Sequence, residues 1–479
     1  MSSVPHIPIL RHGREYHSLD VNEVPVIGSD RTAVRVSMAN SGLVRRDLLE
    51  MRQARNVLRD IPTADLIAMA RQAGRHFLED ELEIGGVMQG PDDYVRHLSS
   101  TSGLPHTLIR MNMKKLGQLF KDMDQVMGGL TRGLDLSVID RGYGEQGGVP
   151  MSFSAVTDSL GVVLPSNSPA VNALWMPSII MKVPVVLKPG REEPWTPMRV
   201  IQALLKAGAP AEAFSFYPTS HDGAQGIIRR CGRVMVFGDD RTVGQYATDP
   251  RVEVHGTGHT KILFGEDKID DWQSCLDMLV ESVSANSGRS CINTSAILVP
   301  RHGAEIARAL AERLASMQPR AADDPGANLS GFANPAMADY IDGAIDEGLK
   351  TPGAVDHSAA VRAGSPRRVE RDNMNYLLPT VVEVNGWDHP LANREFLFPF
   401  TSVVEMPQAE MLEQIGYTLV GTAITGDKAW ITELLDCPDI ERLNVGAWPT
   451  NRIDWNQPHE GNLFDFLYKR RAIHVQTAA

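Results

Sequence analysis

Leu160-Gly161-Val162-Val163-Leu164-Pro165-Ser166-Asn167-Ser168-Pro169 is a short apolar run that ends at a proline and opens into a polar loop. Apolar residues bounded by a turn signal read as a buried strand, and Pro165 stops it because proline donates no ladder hydrogen bond. Next come an apolar strand over residues 183–187, a helix over 198–207 and a strand over 214–217. A helix over 224–230 and a strand over 233–237 complete the series. This alternation predicts an α/β fold with a mostly parallel, doubly wound sheet. Such sheets bind nucleotides beyond the carboxyl ends of their strands.

Upstream, apolar residues recur at three- and four-residue spacing over 45–61 and 64–82, which predicts helices. Another helix is expected from His106 towards Met127, entered through the Gly103-Leu104-Pro105 turn. Helices gathered ahead of any strong strand imply packing onto a sheet built later in the chain. Downstream of 262–265, a second α/β region is expected, with helices over 272–282 and 304–317 and a strand over 294–299. Residues 319–331 and 354–368, rich in Pro, Gly, Ala and charge, read as surface insertions, with a flexible lid as the alternative. There is no internal repeat.

The 479 residues suffice for two or three domains, and 43% hydrophobic with 22% charged residues is ordinary for a soluble protein. A formal charge of −12 argues against nucleic-acid binding. The four cysteines, Cys231, Cys275, Cys291 and Cys437, lie far apart, so neither a disulfide framework nor a metal site is expected. Residues 1–14 lack the apolar core of a secretory signal, and the best apolar stretch, 178–187, is short and contains Lys182. No membrane partner and a cytoplasmic location follow as expectations.

A thiol attacks a carbonyl well when its surroundings expose it and favour the thiolate. In Asn286-Ser287-Gly288-Arg289-Ser290-Cys291 a turn-forming cluster delivers a cysteine just ahead of a strand. Backbone N–H groups at such a turn can face an oxyanion. The other three cysteines read as small buried hydrophobes.

Taken together, the segments resemble the aldehyde dehydrogenase superfamily. Asn286 to Cys291 is similar to its Asn-x-Gly-x-x-Cys nucleophile motif, and the stretch from Gly161 to Pro169 to its Pro-x-Asn-x-Pro strand and loop. Val185-Val186-Leu187-Lys188-Pro189 resembles its cofactor strand. Pro379-Thr380-Val381-Val382 and Arg394-Glu395-Phe396-Leu397-Phe398-Pro399 resemble its Pro-Thr strand and Glu-x-Phe-Gly-Pro motif. The resemblance covers roughly the whole chain. It implies a dinucleotide-binding domain (1–133 and 157–264), a catalytic domain (265–461) and a small β oligomerisation flap (134–156 and 462–479). The flap would pair a hairpin with a last strand over 471–476, and exposed edges of this kind imply a homodimer or homotetramer. Cys291 becomes the nucleophile, and Asn167 the donor to the oxyanion with the Cys291 N–H. Lys188 would hold the adenosine ribose and Glu395 the nicotinamide ribose, with Ser166, Gly238 and Gly256 also at the cofactor. Bland roles stand beside these: Asn167 as a turn former, Lys188 as a solvated strand end, Glu395 as a surface carboxylate.

The chain also departs from the family. The usual Glu-Leu-Gly-Gly glutamate, which activates water, aligns without a gap on Val254; a one-residue shift makes it Glu253. Gly256-Thr257-Gly258-His259 resembles the Gly-x-Gly-Asn run of CoA-acylating members. The reading favoured is a CoA-acylating aldehyde dehydrogenase, or acyl-CoA reductase, with coenzyme A as co-substrate. The alternative is a hydrolytic enzyme with Glu253 as base, and the third a silent nucleotide-binding homologue. His255 or His259 as a base is set against a turn or packing role. Arg191 aligns where the family often carries a ribose-binding glutamate, which makes NADP(H) plausible beside NAD(H); Glu192 and Glu193 are alternative ribose ligands. The pyrophosphate turn reads Gly238-Asp239-Asp240, with Asp240 a candidate helix cap. Leu397 and Phe398 replace the family's phenylalanine and glycine, and 458–462 is short. The substrate class is a small aldehyde or acyl-CoA.

Overall fold

The computed structural model describes residues 4–474. The chain resolves into two compact units: residues 1–101, 109–255 and 454–479 form one, and 102–108 with 256–453 the other.

In the first unit, five parallel strands run through the sheet in the order Val252–His255, Arg233–Phe237, Leu160–Val163, Val185–Lys188, Phe214–Phe216. The first of them in the chain, Leu160–Val163, pairs with both Val185–Lys188 and Arg233–Phe237. Strand order therefore reverses beside it, and the loops after Val163 and Phe237 flank the switch point where such sheets leave a crevice. Strands buried on both faces read as continuous apolar runs, so this part was foreseeable. The N-terminal strands were not. His6–Ile7, Ile9–Arg11, Arg14–Tyr16, Val21–Pro25 and Thr32–Ser37 precede every helix, and two of them extend the sheet in antiparallel fashion. Two to six residues are too few for alternation to register.

The helix expected over 45–61 breaks into Ser41–Asp47 and Met51–Arg59 around a tight turn at Leu48–Glu50. Asn40 starts it by accepting the Leu43 N–H at 2.8 Å. Thr63–Glu79 buries Leu66, Ile67, Ala70, Ala73 and Phe77 on one face. Its final carbonyls are closed by the buried Arg199 of Trp195–Lys206, which donates to Phe77 O, Asp80 O and Gln89 O at 2.8–3.1 Å. Those bonds offset the cost of burying a guanidinium, which also lies over the Phe77 and Tyr94 rings.

A separate three-stranded sheet joins Tyr143–Gln146, Val149–Ala155 and Tyr468–Arg471. The hairpin turns at Gly147 and Gly148, both with positive φ (58° and 77°), the geometry a two-residue turn needs. The last strand begins three residues earlier than expected, and positions 475 and 476 of that expectation lie outside the described residues.

The second unit holds a seven-stranded sheet in the order Ala354–Asp356, Thr380–Val384, Phe400–Glu405, Ala296–Val299, Lys261–Phe264, Thr418–Ile424, Ile440–Val445. Only the first strand is antiparallel. Gly303–Leu314 covers one face with Ile306, Ala307, Leu310 and Leu314. Two boundaries differ from expectation. Lys261–Phe264 pairs with Ala296–Val299 and Thr418–Ile424, so the chain leaves the first unit after His255 and not after Phe264. Residues 454–461 belong to the first unit. Region 354–368 is not a plain insertion, because it supplies an edge strand and the helix His357–Val361.

Candidate active site

Cys291 belongs to the second unit, on a segment whose shape is set locally. Asn286, Ser287 and Gly288 lie consecutively in the left-handed region, with φ of 51°, 60° and 65°. Glycine adopts this freely and asparagine tolerates it, whereas serine is strained there. The strain is held by partners. Ser287 Oγ accepts the Ser330 N–H at 2.8 Å. Asn293 Oδ1 accepts the Ser290 N–H at 2.9 Å, and its amide donates to Ser282 O and Ala285 O. A Cβ on Gly288 would overlap the backbone of Phe398 and Pro399, so the Asn-x-Gly turn and the segment carrying Glu395 pack backbone to backbone.

The 258–260 segment lies against the cysteine from another side. A Cβ on Gly258 would overlap the Cys291 carbonyl oxygen and stand 3.0 Å from Cys291 Cβ. Thr260 Oγ1 donates to Cys291 O at 2.8 Å, and Glu395 Oε2 accepts the His259 N–H at 2.8 Å. Lys261, fully buried, was not singled out by sequence. Its Nζ donates to His259 O (2.6 Å), Thr418 Oγ1 (2.9 Å) and Tyr417 O (3.1 Å). Burial lowers its pKa to about 7, opposed by Glu395 and Asp439. A lysine heading an otherwise apolar strand was the available signal. Cys291 itself is half-buried and Cys437 likewise, while Cys231 and Cys275 are buried.

In the first unit, Lys188 ends its strand at the switch side, and Leu164 N donates to Lys188 O at 2.8 Å. Burial lowers the Lys188 pKa, with Glu192 opposing. Ser166 and the Gly190–Glu192 loop meet: Ser166 Oγ accepts the Glu192 N–H at 3.3 Å, and a Cβ on Gly190 would overlap Ser166 and Pro165. Lys188 Nζ makes no hydrogen bond among the described residues, at the end of a strand where a ribose hydroxyl would be held. That feature fits a dinucleotide. Arg191 is exposed. Glu193 is no ribose ligand: it is buried, bonds Thr196 N and Oγ1 at a helix start, and burial raises its pKa to about 8. At the pyrophosphate turn the cap is Asp239, which accepts the Thr242 N–H at 2.8 Å, and not Asp240. Gly238 N donates to His255 O at 3.2 Å. Asn167 is half-buried in the loop after Leu160–Val163.

The Val252–His255 strand sorts its side chains by alternation. Val252 and Val254 pack on the apolar cluster with Ile227, Val236 and Tyr246. Glu253 and His255 point to the other face, where they meet Glu460. His255 Nδ1 lies 2.6 Å from Glu460 Oε2, and Nε2 lies 3.3 Å from Glu253 Oε1. The ring stacks on Phe237 at 4.4 Å and 10°. His255 is therefore no lone turn histidine but the centre of a buried carboxylate–imidazole–carboxylate row. Burial disfavours its charge, yet Glu460 and Glu253 outweigh that and raise its pKa to about 9.

A histidine whose folded pKa exceeds its unfolded value stabilises the fold fully below about pH 6.5 and loses that contribution as pH rises through about 9. His255→Gln is expected to cost roughly 2–4 kcal/mol at pH 6. The gap to the wild type should close above pH 9. Urea denaturation across pH 6–10 reads it, and a gap independent of pH would refute the charged row.

Among the described residues no cluster of three or more His, Cys, Asp or Glu is arranged to hold a metal, and no helix is long and apolar enough to cross a membrane.

A doubly wound sheet with a half-buried lysine at a strand end, and a separate α/β unit presenting a cysteine on a left-handed turn, define a class of two-unit α/β enzymes with a thiol. The aldehyde dehydrogenase family matches residues 140–462, and the chain belongs to that family. It is 26% identical over 286 residues to an aminoacetaldehyde dehydrogenase of Pseudomonas aeruginosa (56% of this chain, 55% of that protein). It is 23% identical over 305 residues to a mitochondrial methylmalonate-semialdehyde/malonate-semialdehyde dehydrogenase [acylating] of Mus musculus (57% and 55%). The chain thus spans about half the length of the curated relatives it matches. Among solved structures, a NAD-dependent aldehyde dehydrogenase from Sinorhizobium meliloti superposes with a TM-score of 0.79 at 16% identity, covering 99% of this chain and 96% of that one. An indole-3-acetaldehyde dehydrogenase complexed with NAD+ gives 0.78 at 16% (98% and 96%). A 3,6-anhydro-L-galactose dehydrogenase in complex with NAP gives 0.77 at 13% (97% and 99%). These likenesses establish the fold.

Proposed function

We propose that the protein is an NAD(P)-dependent, CoA-acylating aldehyde dehydrogenase, interconverting an aldehyde and an acyl-CoA through a thioester on Cys291. The observation that carries the choice of acyl acceptor is the sorting of the Val252–His255 strand. Val254, at the ungapped position of the family's water-activating glutamate, packs on apolar side chains. Glu253, the other candidate base, already has a carboxylate oxygen beside an imidazole held charged at neutral pH. Glu253 Oε1 is thus already turned towards an imidazole of the protein itself, 3.3 Å from His255 Nε2. One relative named as acylating agrees with this reading.

In the proposed reaction the Cys291 thiolate attacks the aldehyde carbonyl, and Asn167 with the Cys291 N–H takes the developing oxyanion. A nicotinamide cofactor, when bound, would supply the hydride acceptor needed for the Cys291 adduct to become a thioester. The CoA thiolate then displaces Cys291, which leaves as its own thiolate. Lys188 is assigned to the adenosine ribose, and Ser166, Arg191, Gly238 and Gly256 to the cofactor's surroundings. The exposed Arg191 suits a 2′-phosphate, so NADP(H) stands beside NAD(H). A homodimer or homotetramer built through the small three-stranded sheet, in the cytoplasm, completes the proposal.

The test is an aldehyde panel with NAD or NADP, with and without CoA. Reduction should require CoA, falling at least about tenfold without it. Free acid formed at the same rate without CoA would sink the acylating reading and return Glu253 to the role of base.

A further inference from the structure

We propose that Lys261 and Glu395 clamp the backbone of His259, one at its C=O and the other at its N–H, and thereby set the position of Cys291, which makes Lys261 a positioning residue for the thiol. The proposal rests on Cys291 being the nucleophile, and not on the identity of the acyl acceptor.

The clamp follows from five hydrogen bonds along residues 258–260. Glu395 Oε2 takes the His259 N–H at 2.8 Å, and Lys261 Nζ donates to His259 O at 2.6 Å. On the near side, Gly258 O accepts the Leu419 N–H at 2.8 Å. On the far side, Thr260 Oγ1 donates to Cys291 O while Thr260 O accepts the Ser295 N–H at 2.9 Å. Residues 258–260 thus have no slack, and they press on the cysteine's own backbone: no Cβ fits between Gly258 and the Cys291 carbonyl. A shift of this segment must shift Cys291.

An ordinary core role does not account for Lys261. The rest of its strand is Ile262, Leu263 and Phe264, all fully buried, and an apolar residue at 261 would fill the sheet without the cost of burying an amine. That cost is met by three oxygen acceptors, which match the three donors of an ammonium. Glu395 and Asp439 are the carboxylates that act on it, and the Trp387 ring lies 5.8 Å away. Tyr417 O and Thr418 Oγ1 anchor the ammonium to the neighbouring strand, so the third bond, to His259 O, transmits the rigidity of the sheet to the loop beside the thiol. Glu395 Oε2 takes the N–H of the same residue.

The experiment uses Lys261→Met and Glu395→Ala in the full chain, with two readouts. Hydrogen exchange, measured without substrate or cofactor, should speed up at residues 256–260 and 286–293 in both variants. Steady-state kcat should fall about tenfold to a hundredfold, the size expected when a reacting group is misplaced by an ångström or less. The KM for the nicotinamide cofactor should stay within about threefold, because the clamp does not touch it. The two losses should be far from additive in the double variant, since both grips hold the backbone of one residue. Unchanged exchange at 286–293, or wild-type kcat in a folded variant, overturns the clamp. So does a Glu395→Ala variant whose defect lies only in the cofactor KM, which would return Glu395 to the ribose. If Lys261→Met does not fold, Glu395→Ala decides alone by the same criteria. Exchange is independent of turnover, so failure of the nucleophile assignment, read in Cys291→Ala, remains distinguishable from failure of the clamp.

Discussion

Replacing Cys291 by alanine should abolish turnover, with kcat falling roughly 10⁴-fold or more, while the protein stays folded. The size follows from the chemistry: without the sulfur there is no covalent intermediate, and the acyl group has nowhere to wait between the two half-reactions. No other thiol can substitute. Cys231 is buried and pushed up to about 12 by burial, and Cys275 is buried beside Trp272 in an apolar cluster. Cys437 packs at the edge of a different cluster. The fold should tolerate the change, because Asn293 and Ser287 hold the turn through side-chain bonds to the backbone. The melting temperature should therefore shift by less than about 1 kcal/mol equivalent. Turnover kept within tenfold of the wild type would remove Cys291 from the mechanism altogether.

Gly258→Ala should be nearly as damaging, for a geometric reason. The added methyl would overlap the Cys291 carbonyl oxygen and sit 2.8 Å from its carbon, and both obstacles are backbone. Escape is blocked, since the peptide joining Gly258 to His259 is held by Leu419 N and Glu395, and the next one by Lys261 at His259 O. Overpacking of this kind costs about 1–3 kcal/mol in stability. The displaced thiol should add a loss of about a hundredfold in kcat beyond any unfolding. Thermal melts and kcat measured on the same preparation separate the two effects. A variant with wild-type stability and activity would mean that the close approach does not exist in solution.

The strands Leu160–Val163, Val185–Lys188 and Arg233–Phe237 were legible because buried parallel strands are continuous apolar runs between turn signals. The turn that bears Cys291 was legible because Asn286 and Gly288 are the residue types that accept a positive φ. The N-terminal strands escaped because they are short, and Arg14–Tyr16 is exposed throughout. The cap at Asp239 was misread as Asp240 because two adjacent aspartates carry the same local signal, and only the loop's path selects one.

What the sequence determined by itself was local and periodic: the strand and helix alternation, the turn that bears Cys291, and the order of motifs that marks the family. Long-range partners were decided by the tertiary structure. Glu253 or Val254 was ambiguous in the alignment, and the outcome follows from strand register, which turns Val254 to the apolar cluster and Glu253 towards His255. The partner that gives His255 its raised pKa, Glu460, stands 205 positions away, and Lys261 finds its acceptors 156 and 157 positions away. Backbone preference and hydrophobic period are properties of neighbouring residues and can be read along the chain. The charge state of a buried group depends on which distant carboxylates and carbonyls the packed fold brings to it, and that is set only once the chain has closed on itself.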